Sequence, residues 1–344
     1  MAAVKSLSPV LVRAAQPGEG RAIATLWREL WDAHEEWGGY KGTRDARVYD
    51  QLAHRLSEDA RVRGGQPILG RHIHLVAVAD AGVVGQVEGW FERHGVDEAT
   101  PFTCEVRSLI VRSSVRGLGV GRALLEELAA VARQLSRGAP TILAAEVLEP
   151  NPAHSFYARV GYAPVSWNAR IGSVLPVPGD DAGQGARVAL PNDALAIAVL
   201  EGALAERRRA TGDVRFDRPR AIDATVVGAI AAHLARGCAS NEPSELVATD
   251  ESGIVRASST LGVASLDPPF LPAKRALLGR FALDPARDPG PLVTPLIRLA
   301  CRLAAYRGAS TVELNDLTAP DTPLYRAVLH AGARPWSRVV ARYA

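Results

Sequence analysis

The sequence predicts a mixed α/β protein of two tandem domains, on three observations. The chain has 344 residues, more than the roughly 100–200 residues of one average domain. Short apolar runs alternate with segments of helical period, the pattern of strands and helices in succession. The second half also echoes the first at a spacing of 171 residues: Arg116 with Arg287, Gly119 with Gly290, Leu125 with Leu296, Leu128 with Leu299, Gly161 with Gly332 and Pro164 with Pro335. An ordered series of this kind reads as duplication. The join is expected at 176–186 (PVPGDDAGQGA), where Pro, Gly and Asp cluster without apolar periodicity. That places the domains at 1–175 and 187–344.

Within the first half, Val10 to Ala14 is expected as a strand, and Ile23, Leu26, Trp27, Leu30, Trp31 and His34 recur at helical spacing. Leu75 to Val78 and Val83 to Phe91, separated by Asp80 and Gly82, read as a hairpin. Ser108 to Val111 is a further strand. Val120, Leu124, Leu125, Leu128, Val131 and Leu135 mark one face of a helix that Gly138 and Pro140 stop. Ile142 to Leu148 is a strand, Ala153 to Val160 a short helix, and Tyr162 to Ser166 a last strand.

Composition narrows the classes of function. Hydrophobic residues make up 47% and charged residues 22%, which is globular composition and not that of a disordered or fibrous chain. Forty Lys and Arg against 37 Asp and Glu leave too little net charge to indicate nucleic acid or an anionic membrane as partner. Cys104, Cys238 and Cys301 lack any paired spacing, so neither a disulfide framework nor a zinc site is expected, and no metal is invoked. Arg13 and Gln16 interrupt the apolar residues near the N-terminus, and Ala224 to Ala232 is far short of the roughly 20 residues of a membrane span. The expected location is cytoplasmic.

The segment that carries chemistry runs from Val111 to Leu124 (VRSSVRGLGVGRAL). A strand ends, glycines follow at 117, 119 and 121, and an amphipathic helix starts at once. Such a turn lets the backbone approach a ligand and aims unbonded N–H groups and a positive dipole end at it, which suits phosphate. Arg116 or Arg122 would add a charged donor. A P-loop would need Lys followed by a hydroxyl residue after the glycines, and a dinucleotide fingerprint would need glycine where Arg122 stands.

Arg116-x-x-Gly119-x-Gly121 after a strand resembles the acyl-CoA pyrophosphate loop of the GNAT superfamily of N-acetyltransferases. Phe156-Tyr157-Ala-Arg-Val-Gly161-Tyr162 is similar to a second signature of that family, at the family's spacing. The resemblance implies two tandem GNAT-like acyl-CoA acyltransferase domains, with a V-shaped parting between Ser108–Val111 and Ile142–Leu148. Backbone groups of Leu109, Ile110 and Val111 would bind the pantetheine arm of acetyl-CoA. The loop from Arg116 through Gly117, Leu118, Gly119, Val120, Gly121 and Arg122 would hold its pyrophosphate, with Asn151 and Phe156 also on the cofactor side. Asn151 stands one position from the family's usual asparagine, a slot that Pro150 fills here.

The resemblance places Tyr157 as the acid that protonates the departing thiolate, a role that a phenol of ordinary pKa near 10 can fill. Glu105 occupies a place where the family commonly has the glutamate that takes the amine proton. Alternation puts Glu105, Arg107 and Leu109 on one face, with Glu146 on the facing strand as rival. A salt bridge from Arg107 to Glu105 or Glu146 is an equally open role. Trp27 and Trp31 read as core. Glu35, Glu36, Trp37 and Tyr40 leave the apolar stripe, where they could meet a cationic amine or simply face solvent.

In the second half Gly121 is matched by Leu292, Tyr157 by Val328 and Glu105 by Ala276, while Pro289 and Pro291 remove amide donors. A degenerate, non-catalytic second domain is expected. The reading as a whole is acetyl-CoA-dependent transfer of an acetyl group to a primary amine of a small molecule by direct attack, in a monomer or homodimer. The alternatives are a non-catalytic acyl-CoA-binding or scaffold protein, and a protein or peptide N-acetyltransferase.

Overall fold

A computed structural model describes residues 10–80, 82–93, 101–172, 185–216, 222–240, 244–266 and 268–344. In the first half, β1 (Leu11–Ala14) leads through a short 3-10 turn at Pro17–Glu19 into α1 (Gly20–Glu36). Next come α2 (Ala46–Arg63), β2 (Ile68–Leu69), β3 (His72–Ala79), β4 (Gly82–Arg93), β5 (Phe102–Val111), α3 (Val120–Leu135), β6 (Thr141–Leu148), α4 (His154–Arg159) and β7 (Ala163–Gly172). The second half repeats the order with β8 (Ala186–Val188), α5 (Ala194–Ala210), α6 (Ala224–Ala239), β9 (Glu245–Thr249), β10 (Val255–Ser265), β11 (Lys274–Leu283), α7 (Pro289–Tyr306), β12 (Thr311–Leu317), α8 (Pro323–His330) and β13 (Arg334–Tyr343).

Helix α2 escaped the sequence reading because its apolar stripe is thin. Only Leu52, Ala53, Leu56, Ala60 and Arg63 are buried along its 18 residues. Its signals lie at the ends: the Asp45 carboxylate accepts the Arg47 N–H at 2.9 Å, and Gly64 closes the helix at φ 58°.

The chain folds as two compact units that do not follow its halves. The first comprises Met1–Ala163, Asp267–Leu271 and Val340–Ala344; the second comprises Pro164–Leu266 and Pro272–Val339. Strand β7 therefore belongs to the second unit, while the last residues of β13 belong to the first. The expected linker at 176–186 lies outside the described residues except for Gly185 and Ala186, the latter already in β8. Composition cannot show which sheet a terminal strand joins, and this is why the division at 175 differs from the units.

In the first unit the strands run β1-β3-β4-β5-β6, followed by the end of β13, where the Ala344 N–H donates to the Thr141 carbonyl at 2.9 Å. β5 and β6 are parallel; the other described pairs are antiparallel. One face buries Ile73, Leu75, Val87 and Cys104 under Leu124, Leu125 and Leu128 of α3. The opposite face is covered at one end by α1 and α2, where Ile23, Leu26 and Leu56 meet Val76, Val83 and Ile110. The second unit orders its strands β7-β12-β11-β10-β9-β8, with α7 packing Val293, Leu296 and Ala300 against Leu278, Val312 and Leu314.

Duplication is plainest where the 171-residue spacing fails. Arg13 pairs with Glu19 at 2.6 Å and Glu19 accepts the Gln16 N–H; Arg187 pairs with Asp193 at 2.6 Å and Asp193 accepts the Leu190 N–H. Each turn opens a 17-residue helix. These partners are 174 residues apart, Arg13 to Arg187, so the repeat contains gaps and the ungapped match of loop residues needs correction. By position in the helix, Gly290 matches Gly121, and Asp288 matches Gly119.

Gly89 of β4 lets α3 lie close. A Cβ there would come within 2.7 Å of Leu128 Cδ1 and 2.8 Å of Cys104 Sγ, both fully buried. Gly89→Ala is expected to cost about 1–3 kcal/mol by overpacking, read as a lower midpoint in chemical denaturation followed by circular dichroism.

Candidate functional site

After Val111, a single 3-10 turn at Ser113–Val115 brings the chain to Gly117 and Gly119, both left-handed at φ 83° and 86°. Side chains other than glycine rarely adopt that conformation. Space around both is open, with nothing within 4 Å of a built Cβ. Helix α3 then starts with no side-chain cap and no acidic residue in its first turn. Its first backbone bond is from Ala123 N–H to the Gly119 carbonyl, so the amides of Val120, Gly121 and Arg122 have no acceptor among the described residues. Gly121 serves packing instead. A Cβ there would meet the Phe156 ring at 3.2 Å, so this glycine lets Phe156 pack on the helix start. Arg116 Nε donates to the Val111 carbonyl at 2.9 Å.

Beside this turn, Arg122, Leu125, Glu126, Arg159, Val160 and Arg342 line a cleft of about 220 Å³. Arg342 donates to the Val160 carbonyl at 2.8 Å and lies 5.0 Å from the Tyr162 ring centre. Asn151 is used locally, its side-chain oxygen accepting the Ala153 N–H at 2.9 Å at the start of α4.

The parallel ladder of β5 and β6 runs from Phe102 with Thr141 to Val106 with Ala145 and stops there, although both strands continue. Leu109, Ile110 and Val111 thus lie on a strand edge without a β6 partner. Just past the parting, Ser108 is left-handed at φ 48° and the β4–β5 register shifts between Gln86 and Glu88. This bulge corrects the expected side-chain alternation. Leu109 packs with the α3 core, whereas Ile110 shares the opposite face with Glu105 and Arg107.

On that opposite face three rungs cross β3, β4 and β5: His72, Trp90 and Glu105; His74, Glu88 and Arg107; Val76, Gln86 and Ile110. Glu105 lies where β5 and β6 are still paired, and it binds Arg107 at 2.6 Å. Arg107 also lies over the Trp90 ring, 5.5 Å from its centre. Glu88, which the sequence reading missed, is buried beside the parting. Its Oε1 lies 3.6 Å from His72 Nε2, and Ser108 also hydrogen-bonds its carboxylate. Burial alone would raise its pKa, but the bonds from His72 and Ser108 hold it below the ordinary carboxylate value. Gln86 is fully buried, and its amide nitrogen has no partner among the described residues. Strand alternation alone could have flagged Gln86 and Glu88 as polar residues in an otherwise apolar strand.

The acetyltransferase (GNAT) family model matches residues 25–162. The matching stretch, called the GNAT domain below, lies within the first unit. The whole chain also has the fold of a GCN5-related N-acetyltransferase from Sphaerobacter thermophilus, at 18% identity and TM-score 0.57 over 98% of this chain and 97% of that one. It is similar to a fungal GCN5-related glucosamine N-acetyltransferase region at 14% identity and TM-score 0.51, over 98% of this chain and 38% of that chain. A tandem GNAT protein of the clavulanic acid biosynthesis pathway matches at 18% identity and TM-score 0.48, over 98% of each chain. No curated protein matches significantly.

In the GNAT domain Tyr157 packs in the α3 core, edge-on to Phe156 and Tyr162. Burial, reinforced by Tyr162, raises its pKa above that of a free phenol and keeps the proton on it. Glu146 is exposed. The second unit departs at the helix start. The Asp288 carboxylate accepts the Gly290 N–H at 3.2 Å, so a side chain of the protein already fills the anion position of α7. Its own strand parting, past Leu278 with Leu314, is occupied as well. There Arg208, only 3% exposed, donates to the Val165, Asp316 and Leu317 carbonyls.

Trp31 of α1 centres an aromatic cluster in the GNAT domain, with ring-centre distances of 5.0 Å to Trp27, 5.6 Å to His34 and 4.3 Å to Phe270. Phe270 comes from the second half of the chain, pinned by the Thr43 N–H to the Pro269 carbonyl and the Leu271 N–H to the Lys41 carbonyl. Arg44 pairs with Asp32 and Glu35, so Glu35 already holds a cation. His34 is largely buried between Trp31 and Trp37, and burial pushes its pKa down to about 4.

The unfolded chain binds a proton at His34 that the folded chain refuses. Stability linked to this residue is therefore complete above about pH 6.5 and is lost as pH falls toward 4. His34→Leu is expected to remove up to roughly 3 kcal/mol of that pH dependence, measured as the difference between wild-type and variant unfolding free energies at pH 4.5 and 7.

Proposed function

We propose that this protein transfers the acetyl group of acetyl-CoA to a primary amine of a small molecule in its first unit, by direct attack and without a covalent enzyme intermediate. The observation that supports the reading best is the contrast between two helix starts. α3 opens with glycine and unbonded amides, whereas α7 opens with its own carboxylate cap. The residues fit the donor: the amides of Val120, Gly121 and Arg122 have no acceptor among the described residues, space is open around Gly117 and Gly119, and Arg122 and Arg159 supply positive charge in the adjoining cleft.

The unpaired edge of Leu109, Ile110 and Val111 would align the pantetheine as an added strand. Phe156 would wall the cofactor at the helix start, and a backbone N–H at the parting would polarise the thioester carbonyl. Tyr157 would donate its proton to the leaving sulfur. Carboxylates on the face away from α3, Glu105 and Glu88, are the groups able to take the amine proton. The second unit would be non-catalytic.

Isothermal titration with acetyl-CoA is expected to show one site per chain, lost in Gly119→Asp/Gly121→Asp. Thiol release is then followed over tyramine, spermidine, glucosamine and lysine amide. Tyr157→Phe is expected to lower kcat by about 100-fold with acetyl-CoA affinity unchanged. Two sites per chain, or binding that survives the glycine variant, would overturn the assignment to the first unit. Binding without turnover would favour an acyl-CoA-responsive scaffold.

A further inference from the structure

We infer that Glu88, not Glu105, takes the proton from the acceptor amine, and that Arg63 and His72 are positioning residues that aim it. The inference rests on the acyl-transfer reading above. Direct attack needs the amine at the thioester carbon, at the vertex where the two parallel strands part. Glu105 lies on the closed side of that vertex, opposite Ala144 in the ladder, with one carboxylate oxygen bound by both Nε and Nη2 of Arg107. Glu88 stands one rung further on, opposite Arg107, and hydrogen-bonds to Ser108, the bulged residue at the vertex itself.

The Glu88 carboxylate is also held in place by buried groups behind it. Arg63 ends α2 and is 5% exposed. Its Nη1 donates to the Pro67 and His72 carbonyls at 3.1 and 2.7 Å, and its Nη2 donates to His72 Nδ1 at 2.9 Å. A guanidinium only donates, so Nδ1 must be the accepting nitrogen and the ring proton lies on Nε2, which faces Glu88. Arg63 thus sets the tautomer that points a donor at the carboxylate. His74, fully buried, is kept neutral by that burial and donates instead to Gln86 at 2.9 Å. The charged or titratable groups around Glu88 are then Arg63 from α2, His72 and His74 from β3 and Arg107 from β5. Of these, the His72 Nε2–H, together with the Ser108 hydroxyl, favours the ionised form, ready to accept a proton.

The step balances. The substrate ammonium gives one proton to the Glu88 carboxylate, and the freed nitrogen lone pair forms the bond to the thioester carbon. The carbon–sulfur bond breaks with its electron pair on sulfur, and Tyr157 supplies the proton there. Glu88 passes that proton to solvent and then takes the second nitrogen proton as the amide forms. One of the two restores Tyr157 and the other is released, so ammonium and thioester give amide, thiol and one proton.

The test compares wild type, Glu88→Gln, Glu88→Asp, Glu105→Gln and His72→Ala, with the fastest amine of the panel as probe. If Glu88 accepts the proton, wild-type kcat/KM is nearly flat from about pH 6 to 8, because loss of ammonium and gain of amine compensate through the ionised base. Glu88→Gln should fall about 100-fold at pH 7 and rise about tenfold per pH unit toward the amine's own pKa, with acetyl-CoA affinity unchanged. Glu88→Asp should keep the flat profile at a lower rate, and so should Glu105→Gln. His72→Ala should lower kcat and leave KM for acetyl-CoA alone. Glu88→Gln keeps size and one acceptor oxygen, so circular dichroism should be unaltered.

A flat profile in Glu88→Gln, or the slope arising in Glu105→Gln instead, overturns the inference while leaving the acyl-transfer reading intact. Where acetyl-CoA binds but none of the amines reacts, slow hydrolysis of acetyl-CoA by water decides. A fall in Glu88→Gln supports the assignment, and an equal rate overturns it. Failure of wild type to bind acetyl-CoA overturns the underlying reading and this inference together.

Discussion

Two parallel strands that pair for five residues and then separate set the terms for the rest of the first unit. Each strand needs hydrogen-bond partners along its whole edge, and past Val106 that requirement is unmet on one side of β5. The left-handed Ser108 sits at the start of the unmet stretch and reverses the facing of every residue after it. Holding a residue other than glycine there costs on the order of 1–2 kcal/mol. The antiparallel neighbour β4 absorbs that cost through its own register shift, and Glu88 ties the Ser108 hydroxyl. The second unit has the same device: Arg280 is left-handed at φ 52°, with a register shift between Ser258 and Thr260. The bulge thus belongs to the architecture, and chemistry depends on what surrounds it. In the second unit Arg280 is engaged by Glu201 at 3.2 Å.

The two copies differ most at a single kind of position, the residue before a helix. An α-helix begins with unbonded amides and a positive end that call for an anion. Asp288 supplies that anion from within the chain. Gly119 has no side chain to do so and leaves the demand to something from outside. Buried ion pairs reinforce the contrast, since Arg208 and Arg215 hold Asp213 and Asp316 among strands and turns of the second unit.

Much of this was legible in the sequence. The glycines of the loop, the helix after them and the Phe156-Tyr157 pair are local features, readable because backbone conformation and helical period are written in adjacent residues. The GNAT resemblance followed from them. What was hidden depends on distant pairing. No local pattern tells that β5 bulges at Ser108, so Leu109 was put on the face of Glu105. Glu88 resembled an ordinary polar residue of a strand until its neighbours on β3 and β5 were known. Arg63 lay in a helix too polar to stand out, and Phe270 reaches Trp31 across more than 200 positions of sequence. The duplication was readable, but a constant spacing concealed the gaps that align Gly119 with Asp288.

The allotment of Val340–Ala344 to the first unit has a consequence for how the protein is made. A chain emerging from the ribosome usually folds its earlier domain first, at some 5–20 residues per second. Here the earlier unit cannot finish its sheet until its last partner is synthesised, because the amide of Ala344 bonds to Thr141 and the guanidinium of Arg342 to Val160. For the interval between Ala163 and Val340 the nascent first unit carries β6 with an open edge. Completion of the first unit therefore waits on residues 340–344, and a product truncated before them would be left with an unprotected strand as well as an incomplete arginine-lined cleft.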